Sequence, residues 1–213
     1  MNSNIHKVYI SFKYTENKQY REILTNLNEK IRIFEDWSVY EGDIPNYGLT
    51  DEQIRIEIRD NYIKDSSVLI LLNGKNMWDS KFIDWELHAA MYDGEENKKM
   101  GILIINLPEV ENQDGRFNSS GIVKKITDEN REFINWINTE YNIDYHKEKH
   151  PNAPNRIIKN LAKKDVKIDI INWTDIFSLG DSIAASRLIK LIDYAFNKRK
   201  SNNYDISDKL KDR

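Results

Sequence analysis

The sequence predicts an α/β protein of three layers: a mainly parallel five-stranded sheet between helices, with an insertion before the last strand. Two aliphatic runs carry this reading. Val68-Leu69-Ile70-Leu71-Leu72 stops at Asn73-Gly74, and Gly101-Ile102-Leu103-Ile104-Ile105-Asn106 stops at Leu107-Pro108. Each is short, aliphatic and closed by a turn signal, as strands buried on both faces of a parallel sheet are. The third observation is alternation. Amphipathic helical stretches separate the apolar runs, which implies βαβ units with right-handed crossovers.

Lys7-Val8-Tyr9-Ile10-Ser11-Phe12, β-branched and aromatic, is the first predicted strand. Tyr20, Ile23, Leu24, Leu27 and Ile31 then recur at helical spacing. Arg32-Ile33-Phe34-Glu35-Asp36 reads as a short second strand, and Trp37–Gly48, with Gly42, Pro45 and Gly48, reads as an exposed loop. Thr50 with Gln53 fits a capping box that opens a helix through about Ile63, with Ile54, Ile58 and Tyr62 on one face. The run at Val68 is the third strand. Asp79 or Ser80 can cap the helix Lys81–Tyr92 after it, because a short oxygen-bearing side chain satisfies the free N–H groups of a first turn.

The run at Gly101 is the fourth strand. From Glu109 to Lys164 the pattern thins: Asp114-Gly115 and Asn118–Gly121 look like turns, and Asp128–Glu140 looks like a helix around Phe133, Trp136 and Ile137. Its apolar content is too low for a separate core, so 109–164 reads as an elaboration of one domain spanning residues 1–197. Val166, Ile168 and Ile170 alternate as a fifth strand. Asp181 then caps a last helix carrying Leu188, Leu191, Ile192 and Ala195, and residues 198–213 form a polar tail expected to fray.

Composition narrows the chemistry. A net charge of -3 over 213 residues gives no bias towards nucleic acid. With no cysteine, disulfides, thiolate nucleophiles and Cys-based zinc sites are excluded. Met1–Lys7 lack the apolar segment of a signal peptide, and no run approaches the roughly 20 apolar residues of a membrane span, so a cytoplasmic protein without membrane contact is expected. Neither a G-x-G-x-x-G turn nor a P-loop is present. His146 and His150 lie four apart but without the metalloprotease pattern and directly before Pro151, so a solvated loop and no metal site are expected. Carboxylate chemistry remains.

In an open α/β sheet, ligands bind outside the carboxyl ends of the strands. Those ends carry Ser11, Phe12 and Tyr14, then Asp36, Trp37 and Ser38, then Asn73, with Trp78 and Glu86 just beyond. Aromatic surface for stacking beside polar groups for hydroxyls suits a nucleotide or sugar pocket. Each member also has a structural reading: Phe12 and Trp37 as sheet-edge cover, Asp36 and Ser38 as turn formers, Asn73 as a strand end. Glu86, from its spacing alone, reads first as a member of a structural ion pair and second as a catalytic group. At about 100° per residue, Phe82, Trp85, Ala89 and Ala90 form one apolar arc with Glu86 near its centre, while Asp84 and His88 face away. A carboxylate in such surroundings is either paired or lines a pocket.

Lys7–Tyr14, Asp36-Trp37-Ser38 and above all Ser67–Met91, with Ser80-Lys81-Phe82-Ile83-Asp84-Trp85-Glu86-Leu87, resemble the bacterial TIR-like family, most of all the TIR-like proteins of Thoeris antiphage defence. The likeness runs from about Lys7 to Leu107; the loop Glu41–Tyr47 departs from the family pattern, and 109–164 has no family counterpart. The resemblance implies a flavodoxin-like fold, NAD+ as substrate rather than bound cofactor, and cleavage of the nicotinamide–ribose bond. By position it makes Glu86 catalytic, with Ser11, Phe12, Tyr14, Asp36, Trp37, Ser38, Asn73 and Trp78 as substrate contacts. It further implies a cyclic or modified ADP-ribose product that reaches a separate effector by diffusion, and self-association through TIR–TIR contacts. Two rivals stand beside it: a non-enzymatic TIR-like scaffold with Glu86 in an ion pair, and a nucleoside deoxyribosyltransferase-like enzyme on a related architecture.

Overall fold

A computed structural model describes residues 5–39, 48–95, 97–111 and 142–211. Its centre is β3 (Val68–Asn73), in which all six residues are buried. On one side β3 pairs in parallel with β1 (Lys7–Ser11), and on the other with β4 (Gly101–Asn106), whose six residues are also buried. The short β2 (Glu35–Asp36) extends β1, and β5 (Asp169–Asn172) extends β4, both in parallel. The strand order is β2-β1-β3-β4-β5. That is the 2-1-3-4-5 order of flavodoxin-like doubly wound folds.

Period-2 alternation divides the core between the two faces of the sheet. Val8, Ile10, Ile70, Leu72, Leu103 and Ile105 pack against α1 (Tyr14–Ile31) and α7 (Asp181–Lys198) through Leu24, Leu27, Leu188, Leu191 and Ile192. Tyr9, Leu69, Leu71, Ile102, Ile104 and Ile170 point the other way. They meet α2 (Asp51–Glu57) with its π-helical continuation Ile58–Ile63, α3 (Lys81–Met91) and α5 (Asn155–Leu161). Two short helices, α4 (Ile143–Lys149) and α6 (Trp173–Phe177), complete the described chain.

The capping box forms: the Gln53 N–H donates to Thr50 Oγ1 at 3.3 Å while the Thr50 N–H donates to Gln53 Oε1 at 2.8 Å. Ser80 caps α3, accepting from the Ile83 N–H. Asp181 does not cap α7. Gly180, at φ 89°, takes the cap position, and Asp181 is the first helical residue, paired with Lys30 at 3.0 Å. Of the expected α3 arc, Trp85, Ala89 and Ala90 are buried, but Phe82 is 42% exposed, and the buried face extends instead over Ile83, Leu87 and Asp84. The cause is Asp84, which is buried because Arg156 of α5 grips it at 2.9 and 3.0 Å.

Two further segments differ from their sequence reading. His146 and His150 lie not in a solvated loop but at the end of α4, buried and stacked with ring centroids 5.8 Å apart. Burial, reinforced by His146, pushes His150 down to about 2. Among the described residues no cluster of His, Asp or Glu could hold a metal ion, and no helix is long and apolar enough to cross a membrane. The expected turns at 114–121 and the helix 128–140 lie outside the described residues.

The tail up to Lys211 is tied down rather than frayed. Asn202 Oδ1 accepts from the Lys167 N–H at 2.8 Å and its Nδ2 donates to the Lys167 carbonyl at 3.1 Å, while Asn160 holds Asp205 in the same two-bond manner at 2.7 and 2.9 Å. A side-chain amide presents the same donor and acceptor as a backbone unit, so each asparagine substitutes for a missing strand neighbour.

Candidate active site

β1 places Tyr9 and Ser11 on the sheet face that α3 covers, two residues apart and therefore side by side. Glu86, midway along α3, comes down onto both. The Tyr9 hydroxyl donates to Glu86 Oε1 at 2.7 Å, and the Ser11 hydroxyl donates to Oε2 at 2.6 Å. One donor per oxygen fixes the plane of the carboxylate and leaves each oxygen a further lone pair. Neither partner is a cation.

The electrostatics follow from this arrangement. Burial pushes the Glu86 carboxyl from its ordinary 4.5 up to about 7, and the hydrogen bonds from Ser11 and Tyr9, which favour the charged form, only partly oppose it. Part of the side chain is nevertheless open to solvent. The carboxylate is therefore half-buried, set against the apolar core on one side and within reach of solvent on the other. Burial, and after it the neighbouring Glu86, raises the Tyr9 hydroxyl well above the usual tyrosine range.

Of the residues singled out from the sequence, the structure joins Ser11 to Glu86 and distributes the others. Phe12 packs towards the opposite face of the sheet, with Arg21 Cζ 5.7 Å from its ring centroid and Tyr14 beside it at 6.3 Å. Asp36 accepts from Arg21 at 3.2 Å and from the Ser38 hydroxyl at 2.5 Å. Ser38 in turn accepts from the Ile10 N–H at 2.8 Å, so the pair pins the end of β2 to β1 and α1. The Trp37 ring lies under Lys7 Nζ at 3.9 Å. Asn73 is buried and donates to Asn106 at 2.7 Å. Trp78, in the turn before α3, is 44% exposed.

Two features escaped the sequence reading. Tyr9 was absorbed into the strand as one more aromatic residue, although its place two before Ser11 puts it on the same face. The second is a row of asparagines. Asn73, Asn106 and Asn172 are neighbours in register at the carboxyl ends of β3, β4 and β5, all buried. Asn73 Oδ1 and both amide atoms of Asn172 have no hydrogen-bond partner among the described residues. The visible signal is that three aliphatic strands each end in Asn.

Residues 9–112 match the family model described as Thoeris protein ThsB, TIR-like domain. Over that segment the chain is similar to the TIR-like domain of the Thoeris ThsB family. The matched segment runs from Tyr9 through β4 and contains Tyr9, Ser11 and Glu86. Among solved structures, the TIR-like chain overlaps the TIR domains in the activated Roq1 resistosome directly recognizing the pathogen effector XopQ, at 11% identity, covering 87% of this chain and 98% of that one with a TM-score of 0.43. It also overlaps FerB, a flavoenzyme NAD(P)H:(acceptor) oxidoreductase from Paracoccus denitrificans, at 14% identity, covering 92% and 98% with a TM-score of 0.42. No curated protein matches the chain.

Proposed function

We propose that this TIR-like domain cleaves NAD+ at the nicotinamide–ribose bond, with Glu86 as the catalytic carboxylate. One observation carries the reading: in the segment that matches the ThsB family model, a carboxylate with no cationic partner among the described residues is held by two hydroxyl donors on the ligand-binding side of a parallel sheet. The bond between ribose C1′ and the pyridinium nitrogen breaks with its electron pair leaving on nitrogen, so nicotinamide departs neutral and no acid is required. The ribosyl carbon is left electron-poor, and the Glu86 carboxylate, already oriented by its two hydroxyl donors, stabilises that developing positive charge. Ser11 and Tyr9 hold the carboxylate in place and keep it ionisable near neutral pH.

The acceptor then sets the product. Water gives ADP-ribose and a proton, whereas a nucleophilic atom of the same molecule gives a cyclic ADP-ribose. In the defence role proposed here, the cyclic or modified product is a diffusible signal for a separate effector, made in the cytoplasm by a protein that self-associates through TIR–TIR contacts.

The test is incubation of the protein with NAD+, with and without extract from phage-infected cells, followed by chromatography and mass spectrometry. Release of nicotinamide that is lost in Glu86→Gln, while the variant's circular dichroism is unchanged, supports the proposal. Release that persists in Glu86→Gln removes Glu86 from its role. A wild-type protein that leaves NAD+ intact under both conditions favours the non-enzymatic scaffold.

A further inference from the structure

A cavity of about 570 Å³ opens on the outer side of α3, lined by Arg55, Arg59, His88, Tyr92, Glu95 and Asn97 among others. Its volume falls in the range of small-molecule sites, roughly 300 to 1,000 Å³. Glu86 lies elsewhere. His88 follows Glu86 by two residues, so at about 100° per residue the two side chains leave α3 on opposite sides. None of Tyr9, Ser11 and Glu86 lines the cavity.

The lining is chemically specific. Arg55 and Arg59 lie one turn apart, and each is held side-on by a neighbouring carboxylate. Arg55 gives Nε to Glu52 at 3.0 Å and also binds it through Nη2; Arg59 gives Nε and Nη2 to Asp60 at 2.6 and 3.0 Å. A guanidinium has five N–H donors, and a side-on pair uses two. The Nη1–Nη2 end of each therefore remains for an acceptor, with the side chain already oriented. Such an end matches a phosphate geometrically. Tyr92, 44% exposed at the end of α3, supplies a flat aromatic face. Asn97 Oδ1 is buried with no hydrogen-bond partner among the described residues, so it calls for a donor. Glu95 adds a second acceptor, which disfavours a bare polyanion and suits a ligand that also bears hydroxyl or amino groups.

We propose that this cavity is a second ligand site, distinct from the Tyr9–Ser11–Glu86 cluster, for a nucleoside monophosphate: phosphate on Arg55 and Arg59, base on Tyr92, and a ligand N–H or O–H on Asn97. His88 supports the assignment as an uncharged wall, its protonation disfavoured by burial and by the cations Arg156 and Arg55.

The probes are AMP and inorganic phosphate, titrated calorimetrically into the whole protein. The expected result is saturable binding of one AMP, at least tenfold tighter than phosphate, with an unchanged Kd in Glu86→Gln. The double variant Arg55→Gln/Arg59→Gln should weaken AMP tenfold or more. Tyr92→Ala should weaken AMP towards the affinity of inorganic phosphate while leaving phosphate binding unchanged, a selectivity that misfolding cannot imitate. Failure of the wild type to bind AMP overturns the proposal. So does binding that survives loss of both arginines, that is no tighter than phosphate, or that falls in Glu86→Gln.

Discussion

Glu86 shows how three side chains from two elements make one chemical object. Its raised pKa has a stability consequence whose sign is fixed. In the unfolded chain the carboxyl titrates near 4.5, and in the fold near 7. Between those values the folded state binds more protons, so this contribution is full below 4.5 and is lost as pH rises through 7. Glu86→Gln has no such dependence. The wild type should therefore lose stability relative to Glu86→Gln between pH 5 and pH 8, by on the order of 1–3 kcal/mol once the partial exposure of Glu86 is allowed for. Urea unfolding of both proteins at the two pH values measures it, and parallel curves would contradict the burial argument. Ser11 acts in the opposite direction. Removing its hydroxyl in Ser11→Ala deletes a bond that favours the ionised form, so the Glu86 titration, followed by carbon-detected NMR of the carboxyl, should move above its wild-type midpoint. If NAD+ cleavage requires ionised Glu86, the acid limb of kcat/KM moves upward by the same amount. This triad was half legible: Ser11 and Glu86 stood out as polar groups at a strand end and on an apolar helix face, whereas the hydroxyl of Tyr9 looks from sequence like ordinary strand chemistry.

At the scale of elements, legibility followed burial. β3 and β4 are covered on both faces, and such strands need only be aliphatic, which makes them the easiest to read. The edges are harder. β2 keeps only Glu35 and Asp36, because Arg32 adopts a left-handed conformation at φ 52° to end α1, and Ile33 and Phe34 then enter the core before pairing begins. β5 is Asp169–Asn172, and the alternating Val166 and Ile168 are buried in the segment leading into it. Periodicity places Asp84 on the outer face of α3 because the partner that buries it lies 72 residues away, a distance no local pattern can sense. One close approach tests the layer packing directly. At Gly101 a Cβ would stand 2.1 Å from the Ala195 carbonyl oxygen, so α7 crosses the start of β4 at a distance only glycine allows. Gly101→Ala must push α7 away from the sheet. It should cost about 1–3 kcal/mol, the usual range for overpacking. A chemical-denaturation midpoint equal to the wild type would mean that α7 moves freely there.

The whole molecule is closed by its tail, and this is where composition misleads most. The segment is polar, and polar sequence without apolar periodicity reads as disorder. Its order comes instead from specific amide and carboxylate partners. Beyond the bonds of Asn202 and Asn160, the Tyr204 hydroxyl, buried, donates to the Met100 carbonyl at 3.1 Å just before β4. Farther on, the Lys211 N–H donates to Asp84 Oδ2 and the Trp85 indole donates to the Lys211 carbonyl, both at 3.2 Å. The strap thus runs from the entry of β5 across α5 to α3, and it ends on the helix that carries Glu86. Ending the chain after Lys200 would remove all of these bonds and expose Met100. It would also leave Asp84 with Arg156 but without the Lys211 N–H. Net hydrogen bonds contribute about 1 kcal/mol each, and stranded buried acceptors add to the loss. The truncated protein should be less stable by about 3–5 kcal/mol, read as a lower urea midpoint. Asn202→Asp separates the specific bonds from mere coverage. It keeps the acceptor for the Lys167 N–H but loses the donors to the Lys167 carbonyl and to Tyr204. A loss of about 1–2 kcal/mol is expected. If both variants unfold at the wild-type midpoint, the strap contributes no stability and the fold closes through its helices alone.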